Sequence, residues 1–489
     1  MQIITFFSPL IVLLLSAVVI FIGDLAVPRK KTWQPRLAVL GCLGAFGLGL
    51  YLLLGWDYQQ GVVLGGTVTM DSLTLFFQIF AAAVIGLVGV ISSEYVQERS
   101  PFPGEFYSLL LMAGVAVGLL AAAADLVMIF ISFEMLSITS YILTGYLRHD
   151  PRSSEAAMKY FLYGATASAV LLYGMSLLYG AAGTTQLAGL AQLTADTGGS
   201  LGWVVYPALV LLMVGFGYKI AAVPFHQWSP DAYQGAPTPV TAFLSVGSVA
   251  AGFAVIIRVL VTALPGFRSD WAAILSAMAM MTMTLGNLVA ISQKDIKRML
   301  AYSGIAHAGY ILIGLVSWNP AGSAGTFDGL SGVLVYLLVY LFANLGAFSV
   351  VIALEQATGS NQIEDFGGLM GRSPVLAGTM AVFLLSLTGI PGTGGFIGKL
   401  LVFGAALSQA YYLLVLIAII NSVIAGFYYL NVIRYMFFQS AEDAQEGTIQ
   451  PSGMLQTAVI ASCVFTLLIG LFAQPFLEFV RSSLLHFSV

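Results

Sequence analysis

Four ionisable residues interrupt long apolar stretches of this 489-residue chain: Glu134, Lys159, Lys219 and Lys399. A charge at the centre of a bilayer costs roughly 2.5–3.5 kcal/mol on insertion scales, and such residues usually face the protein interior, where they pair or carry function. Amines and carboxylates in that setting suit proton transfer. Burial favours the neutral amine and a nearby carboxylate favours the charged one. Glu134, in DLVMIFISFEMLSITSYILTGYL, has no opposite charge at helical spacing, so its partner must come from another helix. Lys219 is the candidate, and a change in their separation would switch Lys219 between holding and releasing a proton. A static pair that locks two helices together is the alternative. Lys159 follows Glu155 by one turn, so an ordinary i,i+4 pair near the surface competes with a relay role. Lys399 has no acid within a turn. His226 and His307 are single histidines near helix ends, either relays or hydrogen-bonded packing groups.

Other chemistries find no support in the residues. No histidine or cysteine pair stands at metal-ligand spacing, and Cys42 and Cys463 lie in apolar runs near opposite ends of the chain. The glycines around 392–395 have no preceding strand and no Walker lysine–serine pair, so they do not read as a phosphate cradle. No nucleophile–base pattern and no dinucleotide fingerprint is present. The chain alone is expected to perform no bond chemistry.

The elements that hold these residues are transmembrane helices. The chain is 59% hydrophobic and 8% charged, against about 25% charged in soluble domains. Net charge is −4, which gives no reason to expect nucleic acid. At about twenty apolar residues per span, the reading is an all-α polytopic membrane protein of about fourteen helices. They lie near 3–24, 36–54, 71–93, 106–123, 126–147, 155–180, 203–223, 238–263, 271–292, 299–317, 329–355, 374–408, 411–437 and 454–479. The first has no basic flank and no A-x-A site, so it is expected to be a retained helix.

Basic residues orient the bundle. The loops after odd-numbered spans collect Arg29, Lys30, Lys31, Arg36, Arg99, Arg148, Arg152, Lys294, Lys297, Arg298, Arg372 and Arg434. The opposite side holds Arg268 and Arg481. The basic side is expected to be cytoplasmic, with both termini on the other. Within spans, Arg258 lies near an outer end and is expected to snorkel to the interface.

Two spans are interrupted in a related way. In 215–245, GFGYKIAAVPFHQWSPDAYQGAPTPVTAFLS, Lys219 sits in a helix that Pro224 interrupts. In LLSLTGIPGTGGFIGKLLVF, Lys399 follows Pro391. The breaks are five spans apart, and the lysine precedes one and follows the other. Corresponding interrupted helices point to an inverted repeat. The expected organisation is residues 1–105 as three N-terminal helices, 106–263 and 264–438 as five-helix repeats, and 439–489 with the last helix.

Four segments carry a resemblance: EAAMKYFLYGATASAVLLYGMSLLYG (155–180), PFHQWSPDAYQGAPTPVTAFLSVG (224–247), NLVAISQKDIKRMLAYSGIAHAGYILIG (287–314) and GIPGTGGFIGKLLVF (389–403). The chain resembles the antiporter-like subunits of respiratory complex I, the NADH-quinone oxidoreductase subunit N type and its photosynthetic relatives. The resemblance implies a proton-translocating membrane-arm subunit, driven by electron transfer from NAD(P)H or ferredoxin to quinone elsewhere in the complex. It implies Glu134, Lys159, Lys219 and Lys399 as proton-translocating residues. Partners would be other membrane-arm subunits in a bacterial inner or thylakoid membrane, with protons and water as cargo. Quinone, flavin and iron–sulfur clusters would sit in other subunits, since this chain has no cysteine array. Where the family usually has a lysine in the eighth helix, SVGSVAAGF places Val249. The alternatives are a subunit of a multi-component Na+/H+ antiporter or membrane-bound hydrogenase, and a non-pumping scaffold.

Overall fold

The structure is a computed structural model and describes residues 2–26, 32–56, 58–196, 202–319, 327–438 and 448–484. Arg29, Lys30 and Lys31 lie outside the described residues. Among the described residues, thirteen helices are long and apolar enough to cross a membrane. They are α1 Ser8–Ala26, α2 Trp33–Gly55, α3 Ser72–Ile91, α4 Pro103–Ala122, α5 Leu126–Thr144, α6 Pro151–Ala182, α7a Gly202–Lys219, α8 Thr238–Ala263, α9 Arg268–Ala290, α10 Ile296–Val316, α11 Gly329–Thr358, α13 Tyr412–Phe438 and α14 Gly453–Leu471. Two shorter apolar helices, α12a Pro374–Thr388 and α12b Gly394–Ser408, make up the expected broken span. A short helix, α7b Trp228–Gly235, comes after the break that ends α7a.

Aspartates explain where many of these helices begin. Asp71, Asp125, Asp150, Asp295 and Asp328 each accept backbone N–H bonds at a helix start. Each satisfies donors that the first turn leaves unpaired. A two-stranded antiparallel hairpin, β1 Gly61–Val63 with β2 Val68–Met70, precedes α3. Strands this short leave little periodicity to read, so the sequence does not announce them.

Burial ranks the helices. α8 is buried almost throughout, and α10 and α11 nearly so, whereas in α1, α2 and α14 only about a third of the residues are buried. The centre of the molecule is therefore α8 with its neighbours. It is not a regular helix: Leu244–Ser248 and Arg258–Ala263 are π-helical turns.

Arg258 corrects an expectation. It does not snorkel but is 3% exposed. Its Nη1 and Nη2 donate to the two Asp71 carboxylate oxygens at 2.5 and 2.6 Å. Its Nε donates to the Ala121 carbonyl at 2.6 Å. The reason is bidentate geometry: a planar guanidinium meets a carboxylate and a carbonyl inside the bundle, so it need not reach water. Removing one partner of a buried pair leaves an uncompensated charge. Asp71→Asn is expected to destabilise the protein by about 3–5 kcal/mol, read as a lowered thermal midpoint of the detergent-solubilised complex. An unchanged midpoint would show the pair to be energetically idle.

Candidate functional site

The first helix break lies earlier than the sequence suggests. α7a ends at Lys219 itself, five positions before Pro224. Ala221 takes a positive φ of 53° and the Val223–Pro224 bond is cis. The Ala222 N–H reaches back to the Gly217 carbonyl at 2.7 Å. Outside groups satisfy the freed backbone. Val223 N–H donates to Thr282 Oγ1 on α9 at 3.0 Å, and the Trp228 indole donates to the Tyr218 carbonyl at 2.9 Å. Helical backbone can thus end at depth because side chains from elsewhere replace the missing ladder.

Lys219 is 1% exposed. Its Nζ donates to Ser137 Oγ on α5 at 3.0 Å and stands 4.8 Å from the centre of the Phe133 ring. The stem passes Gly252 of α8, where a Cβ would fall 3.2 Å from Lys219 Cγ. Glu134, one turn before Ser137 on α5, accepts a hydrogen bond from Ser168 of α6. Among the described residues no ion pair joins Glu134 and Lys219; Lys219 binds Ser137 instead, one turn from Glu134 on α5. The Ser137 and Ser168 hydroxyls stand closer and take one charge each.

Lys159 lies apart from that pair. Its Nζ contacts Glu155 Oε1 at 2.9 Å and Asp231 Oδ2 at 3.0 Å. Asp231, on α7b, also accepts from Arg298 at 2.6 Å. The i,i+4 alternative is realised, within a half-exposed network on the basic end of the bundle. Partial burial alone would raise the Asp231 carboxyl. Hydrogen bonds and charge from Arg298 and Lys159 outweigh that and hold it below the ordinary value of 3.8.

The second break has its own arrangement. α12a ends at Thr388, and Gly389 and Gly392 take φ of +93° and +90°, a region that favours glycine. Lys399, 5% exposed, reaches back from α12b. Its Nζ donates to the carbonyls of Leu387 at 3.2 Å and Thr388 at 2.6 Å, and to Ser422 Oγ of α13 at 2.8 Å. It also stands 4.7 Å from the centre of the Tyr310 ring. A cation at the carbonyl end of a half-helix is favoured by the helix dipole. Among the described residues, Lys399 has no carboxylate partner.

His307 lies inside a tyrosine cluster. Its Nδ1 hydrogen-bonds with the Tyr336 hydroxyl at 2.7 Å, and its Nε2 with that of Tyr429 at 3.2 Å. Beside it, Asn287 joins the hydroxyls of Tyr310 and Tyr428 at 3.0 Å each. Sequence reasoning misses these tyrosines, because tyrosine is common in spans. Asn287 and Asn421, amides inside apolar runs, are the available signal. His226 stays outside both groups, and its buried Nδ1 makes no hydrogen bond. Val249 is buried just after the first π-turn of α8. Among the described residues, no chain of side-chain hydrogen bonds joins Lys219 to His307.

A family model described as NADH:quinone oxidoreductase/Mrp antiporter, TM, matches residues 123–425, the region that holds both breaks. NAD(P)H-quinone oxidoreductase subunit 2 of Synechocystis sp. is 43% identical over 486 residues, covering 96% of this chain and 91% of its own. NADH-quinone oxidoreductase subunit N of Trichlorobacter lovleyi is 39% identical over 476 residues, covering 97% and 96%. Among solved structures, a chain of respiratory complex I from Thermus thermophilus with bound Aureothin superposes with a TM-score of 0.79 at 30% identity, covering 96% of this chain and 98% of that one. A chain of the Mrp complex from Dietzia sp. superposes with a TM-score of 0.82 at 20% identity, covering 99% and 96%, a likeness of fold alone.

Proposed function

This chain belongs to the NADH:quinone oxidoreductase/Mrp antiporter family, and from that premise we propose that Glu134, Lys219 and Lys399 move protons through it as a membrane-arm subunit of a complex I-type NAD(P)H- or ferredoxin:quinone oxidoreductase. The observation that carries this reading is the state of the two lysines. Each is buried at a helix break and held by neutral oxygens: Ser137 for Lys219, and Leu387, Thr388 and Ser422 for Lys399. An amine held this way can lose its proton without leaving a bare carboxylate behind. Glu134 lies on the same helix face as Ser137, so its charge reaches Lys219 through low-dielectric surroundings, where Coulomb terms are larger than in water. Glu134 and Lys219 form the uptake-side switch, Lys399 is the release-side site, and His307 is a relay between tyrosines. Lys159 tunes the switch from the surface network, and His226 is a second relay candidate near the break at Pro224.

The basic end of the bundle faces the cytoplasm of a bacterial inner or thylakoid membrane, on the positive-inside rule, and both termini face away from it. Residues 106–263 and 264–438 act as inverted halves, each with one broken helix. Flavin, iron–sulfur clusters and quinone belong to partner subunits. Identities of 43% and 39% to quinone oxidoreductase subunits favour this reading over an Na+/H+ antiporter or hydrogenase subunit. The test is the assembled complex in inside-out vesicles. Wild type is expected to acidify the lumen, and Lys219→Ala to lower protons moved per electron. An unchanged ratio in Lys219→Ala, joined by an unchanged one in Lys399→Arg, would make the chain a scaffold.

A further inference from the structure

α8 carries hydroxyls at Thr238, Thr241, Ser245 and Ser248, spaced three and four apart, and each is at most 1% exposed. The stripe runs inward from the basic end of the bundle to the first π-turn. At its outer end stands Glu355, in the last turn of α11. The Glu355 carboxylate accepts hydrogen bonds from Thr238 Oγ1 and from the Tyr95 hydroxyl, the latter at 3.0 Å. Arg99 lies 3.8 Å away, and its guanidinium sits 3.9 Å from the centre of the Tyr95 ring. Close by, Lys297 is buried in the first turn of α10 instead of lying in a loop, and donates to the Ala236 carbonyl at 2.6 Å. The Glu355 side chain is 13% exposed, enough to exchange protons with water. A carboxylate at a helix C-terminus is disfavoured by the dipole. Its position therefore depends on the hydroxyls and cations around it.

α11 carries unsatisfied polar atoms beside the inner end of the stripe. Asn344 of α11 donates to Ser245 Oγ at 2.7 Å. Yet Asn344 Oδ1 and the Tyr340 hydroxyl are buried without hydrogen-bond partners, while Ser248 Oγ faces the Tyr160 hydroxyl of α6. Buried polar atoms are nearly always satisfied by protein or ordered water. Two such atoms, one turn apart on α11, are candidates to hold water, and Asn344 ties them to the π-turn through Ser245, a kind of turn frequent at functional sites. Tyr340 is one turn from Asn344, and its ring centre is 5.1 Å from that of His307.

We infer that Glu355 is a proton-loading site, passing protons along the α8 hydroxyls and water held by Asn344 and Tyr340 to the His307–Lys399 half. A proton leaves water at the basic face for the Glu355 carboxylate. Thr241 Oγ1 donates to the Tyr233 carbonyl and Ser245 Oγ to the Ala242 carbonyl; each hydroxyl turns away from its carbonyl as it accepts one proton and donates another, so none changes its net charge. This track reaches the release-side half without crossing Val249, and Glu134–Lys219 acts as the switch that times it. The inference rests on the proposed function.

The test uses the assembled complex in inside-out vesicles, with assembly and electron transfer measured alongside. Glu355→Gln keeps the shape and hydrogen bonding but cannot carry the proton as a carboxylate does. It is expected to lose as many protons per electron as Lys399→Arg, and Glu355→Asp to recover at least half of that loss. A wild-type ratio in Glu355→Gln, with the ratio lowered in Lys399→Arg, overturns the loading site alone. An assembled Glu355→Asp that pumps no better than Glu355→Gln also overturns it. Wild-type ratios in both Lys399→Arg and Lys219→Ala would instead remove the proposed function beneath it.

Discussion

Lys399→Arg is expected to leave the complex assembled and to abolish the proton pumping that passes through this subunit. Arginine keeps a positive charge and several N–H donors for the carbonyls of Leu387 and Thr388 and for Ser422. It cannot release a proton in a protein. Lys399→Met is expected to fail differently. It leaves the Leu387 carbonyl without its donor, at about 1–3 kcal/mol when buried, while the Thr388 carbonyl keeps Ser422 Oγ, so both assembly and pumping fall. Arginine therefore separates the proton from the scaffold. Protons per electron in vesicles is the deciding measurement, and an arginine variant with the wild-type ratio would remove Lys399 from the pathway.

The second large effect is expected at Gly389. Its φ of +93° is strained for any residue with a Cβ, and that Cβ would lie 2.8 Å from Lys399 Cδ. Gly392 has nearly the same φ, +90°, but open space around it. Gly389→Ala and Gly392→Ala thus share a backbone penalty of about 1–3 kcal/mol, and only the former displaces the lysine. Gly389→Ala is expected to lower pumping nearly as far as Lys399→Arg, while Gly392→Ala loses thermal stability and keeps its pumping ratio. Equal pumping losses in the two variants would mean that the break needs its backbone shape more than its contact with Lys399.

Legibility in the sequence depends on physical range. Spans are legible because each is a long apolar run, and the two breaks because Pro224 and the glycines around Pro391 stand out. Buried lysines are legible because their cost is local. Their partners are not. Asp71 and Arg258 are 187 positions apart, and no pattern along a chain pairs them, so the arginine reads as a snorkelling one. Lys219 reads as a partner of Glu134 because charge is the visible signal, yet Ser137 takes its ammonium. Serine in a span carries no alarm, and a hydroxyl wins by standing nearer. The end of α7a at Lys219 is hidden for a similar reason: Thr282 and Trp228 support the unwound backbone from a distance. Glu355 is not singled out by the sequence at all, because what gives it a role is the start of α8, which the fold sets beside it.

The two π-turns of α8 also set the angular phase of the helix. Each extra residue rotates the downstream turns by roughly 100° relative to an uninterrupted α-helix. The faces up to Ser248, between Val249 and Ile257, and from Arg258 onward therefore answer to three different neighbours: α11 at Asn344, the Lys219 stem at Gly252, and Asp71. A one-residue deletion at either turn would leave composition and length almost untouched while dialling one of these faces away from its partner. For this helix, residue count is as much a part of the specification as residue type.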